Sequence, residues 1–207
     1  YKDTSIKTTG VKASTESASG PVKLSWSEAA DDVTGYRVYR YDPEQEKYVY
    51  LKSTRNRSYT DEDVNSGKTY QYKVRCYWTI GGTNYYGNYS SVVSVTTPPA
   101  KVSGVSTAVR SSTYLTLSWD KVSGASGYRI YRYNTDTQAY EKVITLTSGS
   151  TVSYKITGLA AAEEYQFKVR AYRKVDGVST WGSSSAAYKD STKPGQTKSL
   201  KASSKSS

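Results

Sequence analysis

Along this chain apolar and polar residues alternate in short runs, and no stretch sustains a helical period of 3.6. The runs are rich in Tyr, Val and Thr and end in Gly, Ser, Asn or Asp, which is how strands joined by turns read. In the first half, strands are expected at 10–13, 22–26, 36–41, 48–51, around Tyr59, at 70–77 and at 92–95. The second half repeats the order at 105–108, 115–119, 128–133, 140–144, 152–156, 165–172 and 185–188. Because side chains alternate along a strand, Tyr36 and Val38 point one way and Arg37, Tyr39 and Tyr41 the other. By the same rule Tyr70, Tyr72, Val74 and Cys76 face away from Gln71, Lys73, Arg75 and Tyr77. The apolar sets must point inward, which leaves Arg, Lys and Tyr to cover the solvent face.

The two halves also share wording. Gly35-Tyr36-Arg37-Val38-Tyr39-Arg40-Tyr41 returns 92 positions later as Gly127-Tyr128-Arg129-Ile130-Tyr131-Arg132-Tyr133. Tyr70 to Tyr77 returns 95 positions later as Tyr165 to Tyr172, and Leu24-Ser25-Trp26 recurs as Leu117-Ser118-Trp119. Three phrases in one order mean two copies of one folding unit, with small insertions placed in loops. Seven short strands per copy predict a sandwich of two antiparallel sheets. The first module is assigned to 1–97, a short proline-containing linker to 98–101, the second module to 102–193 and a tail to 194–207.

At this point the residues carry a resemblance. Leu-Ser-Trp, then Gly-Tyr-Arg-Val/Ile-Tyr-Arg, then Tyr-x-Tyr/Phe-x-Val-x-Cys/Ala, closing in Val-Thr-Thr-Pro, resembles fibronectin type III repeats of the kind found in bacterial secreted and surface proteins. The resemblance implies an all-β chain of two immunoglobulin-like, seven-stranded sandwiches in tandem. It implies that Trp26 and Trp119 centre the cores and that the family's tyrosine corner falls on Tyr70 and Tyr165. Gly195 to Ala202 resembles the opening strand of a further copy, so the parent polypeptide is expected to continue.

Composition narrows the chemistry. With no His and a single Cys, catalytic triads and transition-metal sites have almost no material, and no cofactor is expected. Cys76 stands where the other copy has Ala171, so it reads as a small buried hydrophobe. The acidic runs Asp31-Asp32 and Asp61-Glu62-Asp63 offer too few oxygens for calcium, which gathers about six or more, and read as turn and loop solvation. The net charge of +11 divides unevenly, with 13 basic and 11 acidic residues in 1–98 against 16 and 7 in 99–207. The basic residues are scattered, with Arg173-Lys174 the longest run, so no specific nucleic-acid partner is expected. No apolar run is long enough to span a membrane, and the absence of Met and of a leader pattern suggests a piece excised from a longer chain.

The remaining candidates are aromatic and basic. Arg37, Tyr39 and Tyr41 should lie beside Lys73, Arg75 and Tyr77, and Arg129, Tyr131 and Tyr133 beside Lys168, Arg170 and Tyr172. Such a face is expected to act mainly as a cross-strand ladder, and secondarily as a platform that stacks sugar rings or anionic polymers, a polysaccharide or cell-wall polymer being the expected partner. Trp78 and Tyr85, placed in the loop before the last strand, are the other expected ligand contacts. The expected role is non-enzymatic: a semi-rigid spacer whose partners are neighbouring domains of the same extracellular bacterial polypeptide, with an adhesive carbohydrate- or protein-binding module as the alternative.

Overall fold

The computed structural model of the chain describes residues 3–17 and 20–196. The first sandwich comprises β1 (Lys12–Ser14), β2 (Val22–Ser25), β3 (Gly35–Asp42), β4 (Lys47–Thr54), β5 (Ser58–Asp61), β6 (Thr69–Ile80), β7 (Thr83–Tyr86) and β8 (Val93–Thr96). The second repeats it with β9 (Ser106–Arg110), β10 (Tyr114–Ser118), β11 (Gly127–Asn134), β12 (Ala139–Leu146), β13 (Ser153–Thr157), β14 (Glu164–Val175), β15 (Val178–Trp181) and β16 (Tyr188–Ser191). Each sandwich pairs a three-stranded sheet (β1-β2-β5; β9-β10-β13) with a larger one (β4-β3-β6-β7; β12-β11-β14-β15). All pairings within these sheets are antiparallel.

The strand count exceeds the expected seven because the last strand of each sandwich is broken. β7 pairs with the C-terminal half of β6, as Trp78 with Tyr85, and β8 pairs with its N-terminal half, as Tyr70 with Val95. Between the halves Ser90 takes over the ladder. Its hydroxyl accepts from the Val74 N–H at 3.0 Å while its own N–H donates to the Val74 carbonyl at 2.7 Å. Ser185 does the same for Val169. This pushes β16 to begin at Tyr188, so the strand expected at 185–188 overlaps it by one residue.

The alternation of two builds the cores. Val22, Leu24, Tyr36, Val38, Tyr72, Val74 and Cys76 are buried in the first sandwich, and Leu115, Leu117, Tyr128, Ile130, Phe167, Val169 and Ala171 in the second. Trp26 meets Tyr36 with ring centroids 5.5 Å apart, and Trp119 meets Tyr128 at the same distance. The buried phenols are not orphaned: the Tyr36 hydroxyl accepts from Ala29 N–H and the Tyr128 hydroxyl from Val122 N–H. The corner tyrosines take their expected posts, with the Tyr70 hydroxyl accepting from Asn65 N–H at 2.7 Å and that of Tyr165 from Ala160 N–H at 2.8 Å. The proposed opening strand of a further copy, 195–202, lies almost wholly outside the described residues.

Candidate functional site

The solvent face of the larger sheet in the first sandwich gathers the candidate residues. Cross-strand register sets Arg37 opposite Arg75 and Tyr39 opposite Lys73, while β4 brings Tyr50 opposite Tyr39 and Tyr48 opposite Tyr41. A register shift after Val38 seats Tyr39 against Tyr50. Tyr89, just past β7, leans over the same face, its ring centroid 5.1 Å from that of Tyr39.

The cations lie between the rings. Lys73 Nζ is 4.3 Å from the Tyr48 ring centre and 3.8 Å from that of Tyr89. The Arg75 guanidinium carbon is 4.0 Å from the Tyr86 ring centre and 4.6 Å from that of Tyr89. That of Arg37 is 4.7 Å from Tyr86 and 5.2 Å from Tyr50. Rings and cations therefore alternate across the sheet, each contact contributing about 0.5–1 kcal/mol where solvent reaches it. Arg75 also donates to the Tyr39 hydroxyl through Nε and through a terminal nitrogen. Burial, and then the neighbouring Arg75, lowers the pKa of Lys73.

The second sandwich carries the same cations with fewer rings. Arg129 stands opposite Arg170 and Tyr131 opposite Lys168. Trp181 lies under both guanidinium groups, 4.2 Å from Arg129 and 5.5 Å from Arg170, and Tyr140 lies 4.2 Å from Lys168. Arg129 Nε donates to Thr145 and Arg170 Nε to the Gly182 carbonyl. Tyr133 packs edge-on to Tyr140 as Tyr41 does to Tyr48, and both are half-buried, as is Tyr131. Where the first sandwich has Tyr50, the second has Lys142; where it has Tyr89 before the bonded serine, the second has Ser184.

Two expected contacts are corrected. Trp78 is 2% exposed and part of the core, its indole N–H donating to Asp32 at 2.9 Å. It continues the inward series Tyr72, Val74, Cys76, because β6 runs on to Ile80, into the segment read as a loop. Gly81-Gly82, both at positive φ, makes the two-residue turn that a hairpin prefers, as Asp176-Gly177 does in the second sandwich. Those dipeptides were the signal that could have found the hairpin. Tyr39 is also covered, at 6% exposure, because Tyr50, Tyr89 and Arg75 close over it. Tyr85 is exposed.

Sequence reasoning missed a second polar cluster. Asp61, expected in a solvated loop, is buried, accepting from the Tyr72 hydroxyl at 2.7 Å and from Arg40 at 2.8 Å. Arg40 also reaches the Asp63 carbonyl and carboxylate. The second sandwich holds Ile156 and Phe167 at the places of Asp61 and Tyr72, so the cluster substitutes for apolar packing. Among the described residues no group of three His, Cys, Asp or Glu stands close enough to hold a metal ion.

Comparisons with known proteins agree with this geometry. Residues 98–186 match the family model of the fibronectin type III domain. The chain is similar to Exoglucanase B of Cellulomonas fimi, with 29% identity over 94% of the chain and 18% of that protein. It is also similar to an Alpha-amylase of Niallia circulans, with 34% identity over 37% of the chain and 5% of that protein. The chain thus spans less than a fifth of the length of either relative. Among solved structures, a segment of two fibronectin type III domains from chicken tenascin superposes with a TM-score of 0.59, at 14% identity, over 89% of this chain and 99% of that one.

Proposed function

From the premise that the chain carries two fibronectin type III domains in tandem, related in sequence to parts of a bacterial exoglucanase and an alpha-amylase, we propose that it is a non-catalytic, semi-rigid spacer in an extracellular bacterial protein. Its partners are then the neighbouring domains of the same polypeptide, which it holds at a set distance and orientation near a polysaccharide or wall polymer. We place the module limits at 1–97 and 102–193, with 98–101 as the joint.

The observation that carries this reading is the lack of slack at the joint. Thr97 is fully buried, and its hydroxyl donates to Asn65 and Lys68 carbonyls while accepting from Lys68 N–H. One residue on, the Pro98 carbonyl accepts from Gly67 N–H at 3.0 Å. The Pro99 carbonyl already lies against Gly182 of the second sandwich. The loop at Gly67 also abuts the loop at Gly124, where a Cβ on Gly67 would come within 2.9 Å of the Ser123 carbonyl oxygen. Two prolines and two backbone-to-backbone contacts leave few torsions free to bend.

Distance distributions between a label on each module, read by single-molecule energy transfer, test the spacer. A single narrow distribution is expected, broadened by inserting four Gly-Ser residues between Thr97 and Pro98. A native distribution as broad as that of the insertion variant would make the joint a flexible tether and refute the reading.

A further inference from the structure

The outer face of the first sandwich has an unbalanced charge. Arg37, Lys73 and Arg75 are half-buried on it, and among the described residues none of the three is paired with a carboxylate. Arg40, by contrast, shares its charge with Asp61 and Asp63. Arg37 stands directly opposite Arg75, and like charges facing each other across strands are destabilising. Arg37 and Lys73 donate no hydrogen bond among the described residues, and Arg37 Nε is buried without a partner.

The second sandwich repeats the facing arginines, as Arg129 opposite Arg170, but does without the extra rings. It folds the same sheet with Lys142 and Ser184 at the places of Tyr50 and Tyr89, and Arg129 and Arg170, like Arg75 but unlike Arg37, are tied by Nε to neutral acceptors. The extra rings of the first sandwich hold three cations in a row without neutralising them. Tyr50 remains 51% exposed at the edge, its hydroxyl near Ser53.

The ring orientations say which ligand fits. The tyrosines meet edge to face, at interplanar angles of 71° for Tyr39–Tyr50 and 81° for Tyr39–Tyr89, and ring faces of Tyr48, Tyr86 and Tyr89 already carry a cation. Nucleobases, which bind by stacking on open ring faces, find little purchase there. Neutral glucans lack the charge that the face offers to balance. A hydroxyl-rich chain with regularly spaced carboxylates meets both the cations and the fringe of phenol hydroxyls. We propose that this face, through Arg37, Lys73 and Arg75, binds an acidic polysaccharide, a function separate from the spacing of the two modules.

The test is affinity electrophoresis and titration calorimetry of the whole chain with polygalacturonate at low ionic strength. Retardation is expected, weakened about tenfold or more in Arg37→Gln/Arg75→Gln and in Lys73→Gln, and little changed in the charge-matched Arg129→Gln/Arg170→Gln. Tyr89→Ser, which copies the second sandwich, should weaken binding while preserving the fold by circular dichroism. Arg37→Lys/Arg75→Lys, which keeps the charge, should retain most of it. Equal losses from the two Arg→Gln doubles would reduce the effect to net charge and overturn the site. Equal retardation by amylose or by fully esterified polygalacturonate would overturn the acidic requirement. Binding of an oligothymidylate as tight as that of polygalacturonate would reassign the face to nucleic acid, and no retardation by polygalacturonate would reject it outright.

Discussion

At the scale of single residues, the clearest contrast is between two positions that the copies fill differently. Asp61 and Tyr72 form a buried, hydrogen-bonded pair with Arg40 where the second sandwich has Ile156 and Phe167. Removing one partner strands the others, so Asp61→Ala should cost about 3 kcal/mol or more in urea unfolding of the first sandwich. The double change Asp61→Ile/Tyr72→Phe should cost clearly less than the sum of its two singles, because it removes the polar groups together. The same pair sets an alkaline limit. Burial, and then the bond to Asp61, raises the Tyr72 phenol far above its ordinary value of 10.0. Above that value the unfolded chain has lost a proton that the folded chain keeps. Stability is therefore intact below pH 10 and falls as pH rises past it, by up to about 1.4 kcal/mol per pH unit for this one group. Unfolding free energies measured at pH 7, 10 and 11 should show that slope, and Tyr72→Phe should reduce it. Trp78 carries the opposite lesson. As a core residue its truncation to Ala should cost about 3–5 kcal/mol, whatever happens to ligand binding.

At the scale of elements, the strands were legible because alternation marks a face wherever one side of a sheet is buried. Most expected strands overlap observed ones along most of their length, whereas 10–13 meets β1 only at Lys12 and Ala13, and 185–188 is displaced by Ser185. What alternation could not show was the break in the last strand, since β7 and β8 share one edge of β6 and are separated by residues that leave the ladder. The break is tolerable because Ser90 and Ser185 present a hydroxyl where a carbonyl would otherwise stand. Ser90→Ala should leave the Val74 N–H buried and unbonded, costing about 1–3 kcal/mol and speeding exchange of that amide, with a parallel effect of Ser185→Ala on Val169. Unchanged exchange at Val74 would mean that the backbone closes the gap unaided. The ladder face was legible only in part: its members follow from the period of two, but the burial of Tyr39 depends on Tyr50 and Tyr89, one on a neighbouring strand and one on the crossing segment.

At the scale of the whole molecule, the contact of the Gly67 and Gly124 loops bears on the proposed rigidity. Both glycines have positive φ, and a Cβ on Gly124 would fall 2.5 Å from the Gly67 carbonyl oxygen. Gly124→Val should therefore force the loops apart and shift or broaden the distance between labelled modules, while the first sandwich unfolds at an unchanged urea concentration; an unaltered distribution would leave the joint to the prolines alone. The sequence by itself determined the architecture, two copies and all-β, because repetition and alternation are local properties of the chain. Tertiary structure decided what each polar residue does. Asp61 is a buried partner and not a solvated turn, Trp78 a core residue and not a contact, and Arg37 and Arg75 are brought face to face. Each outcome turns on groups far apart in sequence, or on how far a strand runs before it turns, and burial is set by the neighbours that arrive only on folding.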